Sequence, residues 1–234
     1  MLRTKAVEAG TLDLIKRFMS DARFNDFNLV GGTALALKIG HRLSIDIDFF
    51  STGPFSATDL SQHLTANYDA TKVRTLPNGV FCFVEGIKID LISHQYGLVS
   101  EIDVLDGVRM VSLLDIAAMK LNAIFNNGTR LKDYSDMYAL LEIYSLDQVL
   151  EACAQKYPDL NVPMVKNSLI HFGDIDFSDP IKYVGEEIKW PTIASRLRMA
   201  FLDPKVKFSP APPLKKTITQ NPEMGNRKKR GRGI

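Results

Sequence analysis

Cysteine is scarce in this 234-residue chain: only Cys82 and Cys153 occur, far apart and in no CxxC or zinc-type spacing. A disulfide framework is therefore excluded, and a reducing compartment is favoured. Long apolar runs are missing as well. No stretch approaches the ~18 apolar residues of a membrane span, and the opening MLRTKAVEAGTLDLIKRFM reads as a polar amphipathic helix, not a signal peptide. The expectation is a cytoplasmic protein with no membrane association. GxxxxGK[ST], HExxH and GxSxG are all absent, which removes the commonest phosphate-loop, zinc-peptidase and serine-hydrolase readings. Nor is there a strong excess of one charge: the net charge is +2, with hydrophobic residues at 45% and charged residues at 24%, the balance of a globular domain. That small number hides an asymmetry, since residues 215–234 carry +6 and the remainder −4. A basic tail ending NRKKRGRGI suits contact with a phosphate backbone, or else a solvated terminus.

What is present organises into two halves. Residues 3–24 place Leu12, Leu14, Ile15, Phe18 and Met19 at helical spacing. A short strand at 27–30 then meets Gly31-Gly32, and a helix over 33–39 follows. The segment 44–50 alternates S-I-D-I-D-F-F, which as a strand sends Ile45, Ile47 and Phe49 to one face and Ser44, Asp46, Asp48 and Phe50 to the other. A helix over 57–67 precedes strands near 69–76, 79–85 and 87–93, with Pro77-Asn78-Gly79 and Glu85-Gly86 as turns. From Ser112, in capping-box spacing with Asp115, the pattern turns helical: 112–126, 131–144, 146–157, 162–172 and 191–201, with a loop at 174–179. The expected fold is α+β: a mixed sheet with flanking helices over 1–111, a helical domain over 112–204, and a disordered basic tail over 205–234.

One constellation carries chemistry. Gly31 and Gly32 allow a tight turn and close backbone approach to phosphates, with a helix N-terminus and the Thr33 hydroxyl directly behind. Asp46 and Asp48, two apart on a strand, point the same way and can share hard divalent cations. Asp90, in the alternating GIKIDLIS, is the candidate third carboxylate of a two-metal site for in-line displacement at phosphorus. An isolated D-x-D is weak, because edge strands often expose acids. The ordered combination is far more specific.

GGTALAL followed by GHRLSIDIDFF closely resembles the signature of the AbiEii/AbiGii-type nucleotidyltransferase toxins, within the polymerase β-like nucleotidyltransferase superfamily. DIAAMKLNAIFNNGTRLKDYSDMYALL resembles that family's second block, so the likeness spans about 28–141. It implies nucleotide contacts from Gly31, Gly32, Thr33, Arg42 and Ser44, and metal ligation by Asp46, Asp48 and Asp90. It further implies a triphosphate-reaching Lys120, with Asp133 and Asp136 orienting that lysine or the acceptor. Mg²⁺ as cofactor, an NTP as donor, an RNA acceptor such as a tRNA 3′ end, and a separately encoded antitoxin follow from the same likeness. Transfer to a small molecule such as an antibiotic and a non-catalytic nucleotide- or RNA-binding module are the alternatives. Taken without the likeness, Lys120 reads as a solvated helical lysine, and Asp133 and Asp136 as acids favoured at a helix start. His41 reads as turn-exposed, Lys88 shares a face with Asp90, and Trp190 anchors the last helix. Arg130 and Lys132 suit either phosphate binding or compensation of a helix C-terminus. His63, His94 and His171 show no metal spacing and receive no role.

Overall fold

The computed structural model describes residues 1–209; the basic segment 215–234 lies outside the described residues. Seven strands form one mixed sheet: β1 (Phe27–Val30), β2 (Ile47–Ser51), β3 (Thr71–Leu76), β4 (Gly79–Val84), β5 (Ile87–Ser93), β6 (Asp103–Leu105) and β7 (Val108–Met110). Their spatial order is β3-β4-β5-β2-β1-β7-β6. β2 runs parallel to β5 and antiparallel to β1, and β1 pairs in parallel with β7. The α+β expectation of a mixed sheet with flanking helices holds.

The helices are α1 (Ala9–Ser20), α2 (Gly31–Ile39), α3 (Ala57–Tyr68), α4 (Leu113–Asn126), α5 (Leu131–Leu140), α6 (Leu146–Lys156), α7 (Val162–Ser168) and α8 (Trp190–Leu202). On the two central strands the period of two is strict. Ile47, Phe49, Ile89 and Leu91 are buried on one face, while Asp48, Phe50, Asp90 and Ile92 stand on the other. Behind the buried face, Phe18 of α1 stacks on Tyr68 of α3 at 4.6 Å and meets Phe24 and Phe49 edge-on.

Several boundaries move, each for a tertiary reason. The expected helix over 3–24 breaks into a 3-10 turn, α1 and a second 3-10 turn. Its first residues are used elsewhere: the Arg3 N–H donates to the Leu37 carbonyl and the Ser44 N–H to the Ala6 carbonyl. β2 starts at Ile47, so Ile45 is 56% exposed instead of sharing the buried face with Ile47 and Phe49. α5 and α7 stop at Leu140 and Ser168, short of the expected 144 and 172. The β6–β7 hairpin was not anticipated. Its turn, Asp106-Gly107, has positive φ at both positions (49° and 81°), the backbone of a type I′ hairpin. Residues 205–209, grouped by composition with the tail, pack back through Val206 and Phe208.

The helices of the second half join the sheet in one continuous core. A buried clamp fixes the junction. Lys156 of α6 donates to Asp115 at 2.9 Å and to the Gly97 carbonyl at 3.0 Å. Asp115 also accepts the Val99 and Ser100 N–H groups and the Ser112 hydroxyl. Asp115 is therefore more than the cap partner suggested by its spacing from Ser112: it ties the loop before β6 to α4 and α6. No helix among the described residues is long and apolar enough to cross a membrane.

Candidate active site

A cleft of about 570 Å³ opens between the polar face of β2 and β5, the start of α2, and one side of α4. Asp48 and Asp90 are directly opposed in the parallel register of β2 and β5. Burial first, and then the charge of Asp90, push the Asp48 carboxyl up to about 6. Asp90 is held by Lys88 at 2.5 Å through one oxygen, while its other oxygen is buried with no hydrogen-bond partner. Two crowded carboxylates and one orphaned hard oxygen are what a divalent cation would relieve. Among the described residues, however, no three His, Cys, Asp or Glu side chains are already gathered as a metal cage.

Asp46 lies just ahead of β2, in a loop held at several points. The Thr33 hydroxyl bonds the Asp46 carbonyl oxygen and lies 2.9 Å from the Ser44 hydroxyl. The Leu43 N–H donates to the Lys182 carbonyl. Thr33 is fully buried, so its hydroxyl braces this loop and does not face the cleft as the helix-start reading supposed.

The glycine pair has a concrete steric cause. A Cβ on Gly31, whose φ is +68°, would fall 2.5 Å from an Asp48 carboxylate oxygen; one on Gly32 would fall 2.5 Å from the Arg42 guanidinium. α2 begins at Gly31 with no side-chain cap, and both glycines line the cleft, so the first helical N–H groups are available there.

Behind the carboxylates lies a buried charge network. Arg42 meets Asp136 through two bonds, 2.6 and 2.9 Å. Lys120 of α4 lies 2.6 Å from Asp133 and 2.8 Å from Asp136, both on α5. His41 Nε2 is 2.7 Å from Asp136. Burial pushes the Asp136 carboxyl upward, yet Lys120 and Arg42 hold it well below the usual carboxylate range. Lys120 is likewise kept charged: burial opposes its charge, and Asp136 and Asp133 more than offset that. Lys120 is thus no solvated lysine, and Asp133 and Asp136 are buried ion-pair partners instead of surface acids at a helix start. His41, read as turn-exposed, is only partly exposed and meets Asp136. The Arg42 guanidinium, which the resemblance assigns to nucleotide, is engaged by Asp136 and the Leu43 carbonyl.

Comparison with known families settles the class of the chain. The model of the AbiEii nucleotidyl transferase toxins, a type IV toxin–antitoxin system, matches residues 13–100 and 86–211. The chain belongs to the AbiEii family. Nucleotidyl transfer is accordingly its reaction class. An uncharacterised protein of Aquifex aeolicus is 29% identical over 171 residues, covering 69% of this chain and 81% of that one. Among solved structures, a Helicobacter pylori protein described as a nucleotidyltransferase superposes with a TM-score of 0.52 at 18% identity, covering 83% of this chain and 94% of the other. That similarity concerns the fold. A second H. pylori protein, JHP933, gives a TM-score of 0.46 at 15% identity, over 84% and 94% of the two chains.

In this AbiEii chain, one cleft collects Gly31, Gly32, Arg42, Ser44, Asp46, Asp48, Asp90, Lys120 and Asp133 along its lining, with Asp136 directly behind Lys120. Sequence reasoning missed the other end. His94 and Tyr157 line the same cleft, 3.2 Å apart, and Asn122 stands on the α4 wall. Burial, with help from the Lys156 charge, pulls His94 down to about 4. No spacing pattern joins residues 94, 122 and 157. Only the fold brings the end of α6, one side of α4 and the residue just past β5 into one cleft. Trp190 does anchor α8, edge-on to Tyr134, Phe172 and Phe177.

Proposed function

We propose that this protein transfers a nucleoside monophosphate from an NTP to an RNA hydroxyl, such as a tRNA 3′ end, with Mg²⁺, as the toxin of a toxin–antitoxin pair. The observation that carries this reading is the side-by-side placement of Asp48 and Asp90 before the uncapped start of α2, with buried, charged Lys120 in the same cleft. Asp46, Asp48 and Asp90 would hold the cation, which supplies positive charge for the attacking and leaving oxygens. The α2 N–H groups and the glycine backbone receive the phosphates. Lys120 donates to Asp133 and is ion-paired with Asp136, and its charge lies in the cleft where it would meet the departing pyrophosphate. The acceptor oxygen forms the new bond to the α-phosphorus as the bond to pyrophosphate breaks, and the hydroxyl proton leaves toward the carboxylate pair.

An RNA acceptor is supported by the cleft lining, where Arg130, Lys132 and Lys182 stand outside the carboxylate centre. The antitoxin follows from the toxin–antitoxin character of the family. Incubation with Mg²⁺, each labelled NTP, and either total tRNA or aminoglycosides tests the proposal. Label entering tRNA in the native protein but not in Asp48→Ala is expected. Label entering only aminoglycosides would redirect the acceptor to small molecules, and NTP binding without transfer would make the chain a binding module.

A further inference from the structure

We infer that the base of the donor NTP is held at the far end of the same cleft, in a slot made by Phe50, Ile92, His94, Asn122 and Tyr157. The inference rests on the nucleotidyl-transfer reading above and extends it to the part of the donor that the carboxylates do not touch.

Strand register supplies the first support. Asp48 pairs with Asp90, and two residues further on Phe50 pairs with Ile92. Side chains two apart share a face, and a rise of about 3.3 Å per residue separates the two pairs by about 7 Å. Along one pair of strands the cleft floor therefore changes from two carboxylates to two apolar side chains in a single step. A nucleotide has the same polarity, with anionic phosphates at one end, a flat aromatic base at the other and a sugar between. His94 continues the apolar end, its ring 4.8 Å from Phe50 and inclined by 31°. Met119, Asn122 and Ala123 of α4 form the facing wall.

Polar groups supply the second. Asn126 donates its amide to Asn122 Oδ1 at 2.9 Å, and Asn122 lines the cleft wall. The Tyr157 hydroxyl and His94 Nε2 lie at hydrogen-bond distance, 3.2 Å apart. Imidazole, phenol and amide each have donor and acceptor capacity. The slot thus sets three hydrogen-bonding side chains beside a flat apolar floor. These groups suit the polar edge of a base, with Phe50 supplying the stacking face.

Calorimetric titration of the full chain in Mg²⁺ with the four NTPs, and with inorganic tripolyphosphate as a probe lacking sugar and base, tests this. Phe50→Ala is expected to weaken NTP binding about ten- to hundredfold, leaving tripolyphosphate within about twofold. Asn122→Ala and Tyr157→Phe are expected to narrow the differences in Kd among the NTPs. Should Phe50→Ala not fold, Phe50→Leu keeps most of the volume and removes the flat face. NTP affinities unchanged in these variants, or falling together with tripolyphosphate, would overturn the slot. A native protein that binds neither NTP nor tripolyphosphate would instead sink the nucleotidyl-transfer reading beneath it.

Discussion

Arg42 and Asp136, 94 positions apart, form a two-point ion pair in which both side chains are buried. The pair joins the loop carrying Asp46 to the helix that braces Lys120, so the two sides of the candidate cleft are registered by electrostatics as well as by packing. Leaving one member of such a pair uncompensated costs about 3–5 kcal/mol. Asp136→Ala should therefore lower unfolding free energy by that amount in urea titrations. Arg42→Lys should lose much of the same stability, because an ammonium cannot reproduce the two-point contact. Asp133→Asn should cost less than Asp136→Asn, since Asp136 meets both Lys120 and Arg42 whereas Asp133 meets Lys120 closely and Arg130 only at 3.8 Å. Equal losses for the two asparagine variants would refute that ranking.

Asp48 predicts a pH dependence opposite in sign to that of an ion-paired acid. Its folded pKa, about 6, lies above the ordinary 3.8, so between those values the native state binds more protons than the unfolded chain. Stability of the metal-free protein should fall as pH rises from 4 to 6, by on the order of 2 kcal/mol. Asp48→Asn should flatten that slope and raise the Tm at pH 7.5 while reducing nucleotidyl transfer at least a thousandfold. Added Mg²⁺ should raise the native Tm more at pH 7.5 than at pH 5, where a proton already occupies Asp48. A Mg²⁺ effect independent of pH would contradict this.

Asp115 behaves in the conventional sense. Burial raises its pKa, but the Val99 N–H, Lys156 and Ser112 bring it below the ordinary value. It contributes stability above the unfolded pKa of about 3.9, and loses it as pH falls through the lower folded value. Lys156→Met should be strongly destabilising at pH 7, because it strands a buried carboxylate. Pairing it with Asp115→Leu should recover more than half of the loss. A double-mutant cycle showing simple additivity would exclude the clamp.

Gly31→Ala should impair activity more than stability. The positive φ costs an alanine about 1–2 kcal/mol, but the new methyl must displace the Asp48 carboxylate. Transfer by Gly31→Ala is expected to drop at least a hundredfold while its chemical denaturation midpoint moves only modestly. An active Gly31→Ala would mean that Asp48 tolerates displacement.

The sequence by itself determined whatever depends on neighbours along the chain. Alternation in SIDIDFF and GIKIDLIS fixed that Asp48 and Phe50, and separately Asp90 and Ile92, share a face, because a strand's side chains alternate whatever surrounds it. The glycine pair before α2 was legible for the same reason: a tight turn into a helix has a local signature. The turn at Asp106-Gly107 carried an equally local signal, and the hairpin it makes went unrecognised because its strands are only three residues long.

Tertiary structure alone decided which charges meet. Residue pattern alone could not say that Lys120 is buried between Asp133 and Asp136, a link only the family resemblance implied, that Arg42 reaches Asp136, or that Thr33 turns inward to hold Asp46. Nor could it join His94 to Tyr157 and Asn122. These contacts span 13 to 95 residues or depend on how α6 and α5 settle on α4. Local periodicity carries the direction a side chain leaves its own element, but not what stands opposite. Ion-pair choice in a buried cleft is set by that second quantity, which is why residue pattern reached the carboxylate pair but not the Arg42–Asp136 contact behind it.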